Sequence, residues 1–165
     1  MNKNTILLIL IIVIALSFIV YLGNPQRKSI SLNNTISASS LFSLEKSFDF
    51  GTISMSRGKV EHSFTIKNEN NYPVTMGKIY TSCMCTEASL IKNGKEFGPF
   101  GMPGHGFIPS INETLNSGEE AQIEVVFNPA AHGPAGIGKI NRRVFIQNES
   151  GENILNLDIS AYVTP

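Results

Sequence analysis

Residues 60–67 read VEHSFTIK, and apolar and polar side chains alternate along them without a break. Successive side chains of an extended chain point to opposite faces of a sheet, so this alternation predicts a strand with one buried face. His62 falls on the apolar face together with Phe64. We interpret it as a hydrogen-bonded core histidine rather than a ligand, because buried polar groups are normally hydrogen-bonded.

The chain on both sides of this strand carries further apolar alternations, separated by turn residues such as glycine, asparagine and proline. We predict about seven strands with turns every ten to twenty residues or so, which is typical of an immunoglobulin-like sandwich. The predicted fold class is therefore an all-β, seven-stranded immunoglobulin-like sandwich over residues 45–165. The predicted strands besides 60–66 include residues 48–53, 74–82, 123–127, 144–146 and 155–163.

Composition limits the functions that this chain can have. Its 165 residues carry no formal net charge. The part after the N-terminal segment, roughly 120 residues, is enough for one domain with one core. Arg142-Arg143 is the only basic pair after Arg27-Lys28. The basic face of a nucleic-acid-binding protein is therefore absent from the sequence, and we expect no nucleic-acid partner.

The N-terminal segment contains an apolar run at residues 6–22, ILLILIIVIALSFIVYL, interrupted only by Ser17. A run of about 17 residues is just long enough to cross a bilayer as a helix. It exceeds the apolar centre of a signal peptide, about 7–15 residues, and the residues that follow make a poor cleavage site. We expect residues 1–23 to be a single transmembrane helix that stays uncleaved, with a cleaved signal peptide as the alternative.

Residues 24–44 are rich in serine, asparagine and threonine, which predicts a flexible tether. Positive charges flank the apolar run on both sides, so the distribution of lysine and arginine does not orient it. A single N-terminal anchor followed by a polar spacer usually serves an exported domain. We therefore expect a single-pass membrane protein with its domain outside the cytoplasm, in the periplasm or at the cell surface.

The only two cysteines, Cys83 and Cys85, are separated by one residue. In an extended strand they would share a face with Cα atoms about 6.6 Å apart. A disulfide usually needs about 5.5–6 Å, so a bridge is disfavoured unless the chain turns there. Two thiolates on one face could instead hold a soft metal ion. Two buried and inert thiols are the alternative, since a free cysteine often behaves as a small hydrophobe.

Two glycine-rich loops could bring further metal ligands to these sulfurs. Residues 92–110 are so rich in glycine and proline that we predict no regular element there. A long loop of this kind is usually functional or mobile. Alternatively, this is a surface loop whose three phenylalanines pack over the end of the sandwich. With residues 130–136 as the second loop, the candidate metal ligands are Cys83, Cys85, His105, His132 and Met102, with Met84 beside them.

The identity of the metal depends on which of these ligands converge. Sulfur ligands from cysteine and methionine favour Cu(I), whereas two cysteines with two histidines suit zinc. The possible cofactor is therefore copper or zinc.

Four ordered motifs resemble those of a bacterial domain-of-unknown-function family with the pattern F-D-F-G-x-I, S-C-G-C-T, P-G-E and V-x-F-D/N-P. They are FDFGTI at residues 48–53, SCMCT at 82–86, and SGE at 117–119 followed by IEVVFNP at 123–129. The resemblance covers roughly residues 44–163. That family is similar to the hydin, major-sperm-protein and PapD-like immunoglobulin folds, which implies this fold and export but no established activity. Met84 departs from the family's usual glycine, and the loop with His105 is longer than the family implies.

Two function classes follow from these features, and a third is weaker. The first is a membrane-anchored, extracytoplasmic, immunoglobulin-like binding module without catalytic activity, which contacts an unknown protein partner. The second is a soft-metal binding domain that uses Cys83 and Cys85 with His105 or His132. Thiol–disulfide chemistry comes third, because the Cys-x-Cys segment lacks the helix N-terminus that lowers thiol pKa values in Cys-x-x-Cys proteins.

Overall fold

A computed structural model describes residues 2–3, 13–14, 16–17 and 41–165. Most of the predicted membrane helix, residues 6–22, and most of the predicted tether, residues 24–44, lie outside the described residues. Among the residues that are described, no helix is both long enough and apolar enough to cross a membrane.

The described domain consists of strands joined by turns and by two longer loops, residues 101–112 and 128–137. Most of the strands end at or next to a glycine, proline or asparagine, in keeping with the turn preferences of these residues. The strands are β1 (Ser47–Ser54), β2 (Val60–Lys67), β3 (Val74–Thr81), β4 (Thr86–Lys92), β5 (Lys95–Phe100), β6 (Glu113–Leu115), β7 (Glu120–Phe127), β8 (Gly138–Asn148) and β9 (Asn153–Thr164).

These strands form two sheets, which confirms the predicted all-β sandwich. One sheet has the order β1-β9-β8-β3-β6 and the other has the order β2-β7-β4-β5. Strand β1 pairs with β9 in parallel, and every other pair is antiparallel. The predicted number of seven strands is wrong, since residues 41–165 contain nine.

The additional strands arise in segments where the sequence shows no clean alternation. The interval 92–110, predicted to be irregular, contains β5, which pairs with β4. Strand β4 has a nearly continuous buried run from Thr86 to Leu90 because β5 and β7 flank it in the sheet. A strand buried in this way lacks period-two polarity, so the pattern that identifies β2 could not identify β4.

The core lies between the sheets and draws on both. Phe64, Ile123 and Leu90 are completely buried on one side, and Ile79 and Ile146 are completely buried on the other. Burial of each such side chain contributes about 1.5–3 kcal/mol to the free energy of unfolding. The core therefore holds the ends of the central strands in a fixed position, and the candidate site is built on those ends.

The strand predicted from residues 60–67 is confirmed as β2, with Phe64 and Ile66 buried. The expectation for His62 as a hydrogen-bonded core histidine is confirmed for the hydrogen bond, but the residue is half-buried at the edge of the core and not inside it. Its Nε2 lies 2.8 Å from Oε2 of Glu45, and its ring stacks on Phe48 with the centroids 3.6 Å apart. Packing of the domain extends back to Leu41, which is fully buried, ahead of the expected start at residue 45.

The register of the strands determines which chain segments meet at one corner of the sandwich. Thr81, the last residue of β3, pairs with Val144 of β8. Thr86, the first residue of β4, pairs with Phe127, the last residue of β7. The connection between β3 and β4 crosses from one sheet to the other. It therefore lies beside the loop that follows β7 and beside the β8 residues just before Val144.

Candidate metal centre

The two cysteines lie in a tight turn between β3 and β4, not in a strand. The N–H of Thr86 donates to the carbonyl oxygen of Cys83 at 3.1 Å, which closes a four-residue turn. The strand predicted at residues 74–82 is confirmed as β3, which ends at Thr81, and of the two cases considered for the cysteines the structure has the turn and not the extended register. The physical reason is that the chain must cross between the sheets at this point, and a tight turn achieves this in four residues.

Side chains on either side hold this turn in place. The hydroxyl of Thr81, which is buried, lies 3.0 Å from the carbonyl oxygen of Cys83 and 2.8 Å from that of Thr86. Ser82 bonds β8 twice, because its N–H donates to the carbonyl of Arg143 and its Oγ accepts from the Arg143 N–H, each at 2.9 Å. The turn is therefore a rigid support for the sulfurs.

The two sulfurs differ in their environment. Cys85 is only 2% exposed and belongs to the core cluster, whereas Cys83 is half-buried at its edge. The N–H of Cys85 donates to Sγ of Cys83 at 3.4 Å, which the turn makes possible. Both cysteines are free thiols.

His132 reaches this turn from the loop after β7. The N–H of Asn128 donates to the carbonyl oxygen of Cys85 at 2.8 Å, so the start of the loop is bonded directly to the turn. The side chain of Asn128 accepts from the Ala130 N–H at 3.1 Å, and a short 3₁₀ turn at Gly133–Gly136 follows. A Cβ at Gly136 would lie 3.2 Å from Cβ of His132, so the glycine permits this close packing.

Three potential ligand atoms converge at this point. Nε2 of His132 lies 3.2 Å from Sγ of Cys83. The two sulfurs and a ring nitrogen of His132 all lie within 4.8 Å of one another. Atoms that bind one ion at about 2.0–2.3 Å each lie no more than about 4.6 Å from one another, which is close to the separation found here. The Cys83–Cys85–His132 group can therefore hold a soft metal ion.

A cation of the protein lies against the same sulfurs. Nε of Arg142 donates to Sγ of Cys85 at 3.1 Å. Arg142 stands on β8 between Ile140 and Val144, both buried, and so occupies an inward-facing position of the strand. Within residues 41–165, none of the ion pairs to a carboxylate involves Arg142.

These contacts separate the pKa values of the two thiols. Burial raises the pKa of Cys83, but hydrogen bonds from Cys85 and His132 and the charge of Arg142 outweigh it and lower the pKa to about 7. Burial also raises the pKa of Cys85, as does its hydrogen bond to Cys83, and Arg142 only partly offsets these effects. Near neutral pH, Cys83 is the sulfur that carries negative charge most readily.

The other two predicted ligands, Met102 and His105, come from the loop between β5 and β6. Met102 and His105 line a cavity of about 410 Å³ together with Met84 and Phe107. His105 is not part of the group formed by the two cysteines and His132. The structure therefore brings together three of the five predicted metal ligands, and it places His105 and Met102 in a neighbouring loop.

Sequence reasoning missed two residues that shape this site, Arg142 and Thr81. For Arg142 a signal existed, because it shares the inward side of an alternating strand with Ile140, Val144 and Ile146. A charge at such a position requires a partner. No comparable signal identifies Thr81, since its role depends on where β3 ends.

Comparison with a family model shows similarity over part of the domain. The model of a family described as "Protein of unknown function (DUF1573)" matches residues 42–98, which is less than half of the chain. The match includes β1 to β4 and the cysteine turn. The His132 loop and Arg142 lie outside it. No curated protein matches the chain.

Similar solved structures are distant from this chain. They include the secreted serine protease VesC from Vibrio cholerae, with 14% identity, a TM-score of 0.48, and coverage of 78% of this chain and 25% of VesC. A protein of unknown function from Porphyromonas gingivalis has 12% identity, a TM-score of 0.49, and coverage of 79% and 51%.

A third similar structure is the ASH/PapD-like domain 7 of human CEP192, with 14% identity, a TM-score of 0.43, and coverage of 77% and 87%. The chain thus spans a quarter of VesC and half of the Porphyromonas protein. Likeness at this level says nothing about activity.

Proposed function

We propose that this domain is a non-catalytic module that binds one soft metal ion, Cu(I), through Cys83, Cys85 and His132. The observation that carries the proposal is the convergence of two sulfurs and one imidazole nitrogen within 4.8 Å. Thiolate sulfur is a soft ligand that suits Cu(I), and imidazole is compatible with it.

The number of donors favours Cu(I) over structural zinc. Closed zinc sites almost always have four protein ligands in a tetrahedral arrangement. This group offers three, and His105, the other predicted histidine in the neighbouring loop, is not among them. A ligand set of two thiolates and one imidazole matches the lower coordination that a soft monovalent ion accepts.

The charge of the site also favours a monovalent ion. Two thiolates with Cu(I) leave one negative charge, which the guanidinium of Arg142 balances at 3.1 Å from Cys85. With Zn(II) the same set would keep the uncompensated positive charge of Arg142 at a partly buried position. Unbalanced buried charge is costly, so the arginine selects against the divalent ion.

The wider role proposed for the module is extracytoplasmic. We take the sandwich to be an immunoglobulin-like domain that is tethered to a membrane by residues 6–22 and contacts a protein partner. The apolar length of that run supports the tether. Exposed Phe107 and half-exposed Met84 beside the loop cavity support a protein contact.

A protease digest of intact cells tests the location separately. Exogenous protease should degrade the domain without lysis, whereas the cytoplasmic location predicts full protection until the membrane is broken.

Anaerobic titration of the full-length, reduced chain tests the metal proposal. A chromophoric Cu(I) chelator would compete with the protein, and we expect one Cu(I) bound per chain. Binding should be lost in the Cys83→Ser/Cys85→Ser double variant. His62→Gln is the matched control, since His62 bonds Glu45, stacks on Phe48 and is not part of the group formed by the two cysteines and His132.

Two results would contradict the proposal. The first is Cu(I) affinity that survives in the double variant, with the circular dichroism spectrum showing a folded chain. The second is tighter binding of Zn(II) than of Cu(I) in parallel competition, which would overturn the identity of the ion.

A further inference from the structure

The metal-free site has the arrangement of a dithiol that can reduce another molecule's disulfide. The attacking sulfur in such an exchange must be reachable from solvent, and a second thiol must reach the first. Cys83 is half-buried and faces His132, which is exposed, while Cys85 is 2% exposed behind it. The geometry therefore assigns different roles to the two sulfurs.

We propose that the chain carries out stoichiometric thiol–disulfide exchange, with Cys83 as the attacking thiol and Cys85 as the resolving thiol. The substrate class is an accessible disulfide, either in a protein or in the oxidised form of a small thiol. This inference does not require a bound metal, although metal binding and exchange exclude each other because they use the same sulfurs.

The turn supplies what a helix N-terminus supplies in other dithiol proteins. The Cys85 N–H donates to Sγ of Cys83 at 3.4 Å, and Nε2 of His132 lies 3.2 Å from it. Donors of this kind stabilise a thiolate. Nε of Arg142, 3.1 Å from Sγ of Cys85, does the same for the second sulfur.

The proposed exchange has two steps. The Cys83 thiolate attacks one sulfur of the substrate disulfide, that S–S bond breaks, and the leaving sulfur keeps the electron pair and takes a proton. This leaves a mixed disulfide on Cys83. Cys85 then loses its proton to solvent and attacks Sγ of Cys83, which expels the second substrate thiolate, and this too takes a proton.

Electrons and protons balance over the two steps. The substrate disulfide gains two electrons and two protons and becomes two thiols. The Cys83–Cys85 dithiol loses the same and becomes a disulfide. The bond can close because the turn places both sulfurs within 4.8 Å, which an extended Cys-x-Cys segment does not favour.

Glutathione disulfide is the probe for this proposal. The reduced full-length chain would be incubated with it in the presence of chelators for copper and zinc, then quenched with a thiol alkylating reagent. Intact mass and peptide mapping would follow each sulfur. In the wild type we expect both thiols to be lost together, without a lasting glutathione adduct.

The single variants separate the two roles. Cys85→Ser should accumulate glutathione on Cys83, since no thiol resolves the adduct. Cys83→Ser should react at least about tenfold more slowly, because Cys85 is inaccessible. Circular dichroism spectra establish whether each variant is folded. If a variant is not folded, the wild-type reaction alone decides the proposal.

Three results would overturn the exchange: no reaction in the wild type, a stable adduct on wild-type Cys83, or first modification at Cys85. Because the chelators keep the chain free of metal, the exchange assay tests the exchange proposal independently of the metal proposal. Cu(I) binding together with failed exchange would leave the sulfurs as metal ligands only, and successful exchange with no Cu(I) binding would leave them as a redox pair only.

Discussion

Two neighbouring segments of this domain carry potential ligands of the same chemical kind, but only the cysteine turn has several of them within 4.8 Å of one another. In the cysteine turn, Cys85 is buried, Thr81 bonds the turn carbonyls, and His132 and Arg142 contact the sulfurs. In residues 101–110, His105 and Phe107 are exposed and no strand runs through them. Suitable side chains become a site where strand ends and hydrogen bonds hold them together.

The largest expected difference between the two segments is in stability. Phe127 is 2% exposed and pairs with Thr86, the residue after Cys85, whereas Phe107 is 90% exposed. Phe127→Ala should lower the free energy of unfolding by about 3–5 kcal/mol because it leaves a cavity in the core. Phe107→Ala should change it by less than about 0.5 kcal/mol.

Urea denaturation followed by circular dichroism measures both variants. Equal losses from the two phenylalanines would show that the 101–110 loop is as firmly packed as the cysteine turn, and the contrast between the segments would fail.

The next largest effect concerns the two histidines. His132→Ala should weaken Cu(I) binding by about tenfold or more, since it removes one of three donors. His105→Ala should leave the affinity within about twofold, as for an ordinary exposed position. Chelator competition on the two single variants measures this difference.

The reverse order, with His105 the more important histidine, would place the metal in the 101–110 loop. Equal losses would mean that the two segments share one ion.

The smallest expected effect is a shift in thiol reactivity with pH. Burial raises the pKa of Cys83, but hydrogen bonds from Cys85 and His132 and the charge of Arg142 lower it to about 7. Its alkylation in the metal-free chain should therefore reach half of its maximal rate near that pH. The pKa of Cys85 is raised, mainly by burial, so its alkylation should need more alkaline solution.

Arg142→Gln should raise the pKa of both thiols, because the guanidinium stabilises the thiolate of each. Alkylation of the variant would then require a higher pH at both positions. Peptide-resolved labelling across pH measures this change, with Arg143→Gln as the matched control, since Arg143 pairs with Asp158 instead. If the pH dependence of alkylation is unchanged in Arg142→Gln, the guanidinium does not affect the pKa of either thiol.

The sequence alone was sufficient for the all-β class and for the strand at residues 60–67, because alternation of apolar side chains is a local property of a half-buried strand. It also identified Cys83, Cys85 and His132 as candidate ligands from their chemistry. It did not identify β4, whose burial depends on pairing with β7, distant in the chain, nor β5, although the Asn93-Gly94 turn between them is a local hairpin signal.

Only the tertiary structure decided which candidates meet. The register of β4 against β7 brings Asn128 to the carbonyl of Cys85, and with it His132 to the sulfurs. The pairing of Thr81 with Val144 likewise brings Arg142 to the turn. These contacts join residues about fifty positions apart, and no local pattern encodes them, because they exist only once both sheets have packed on a common core.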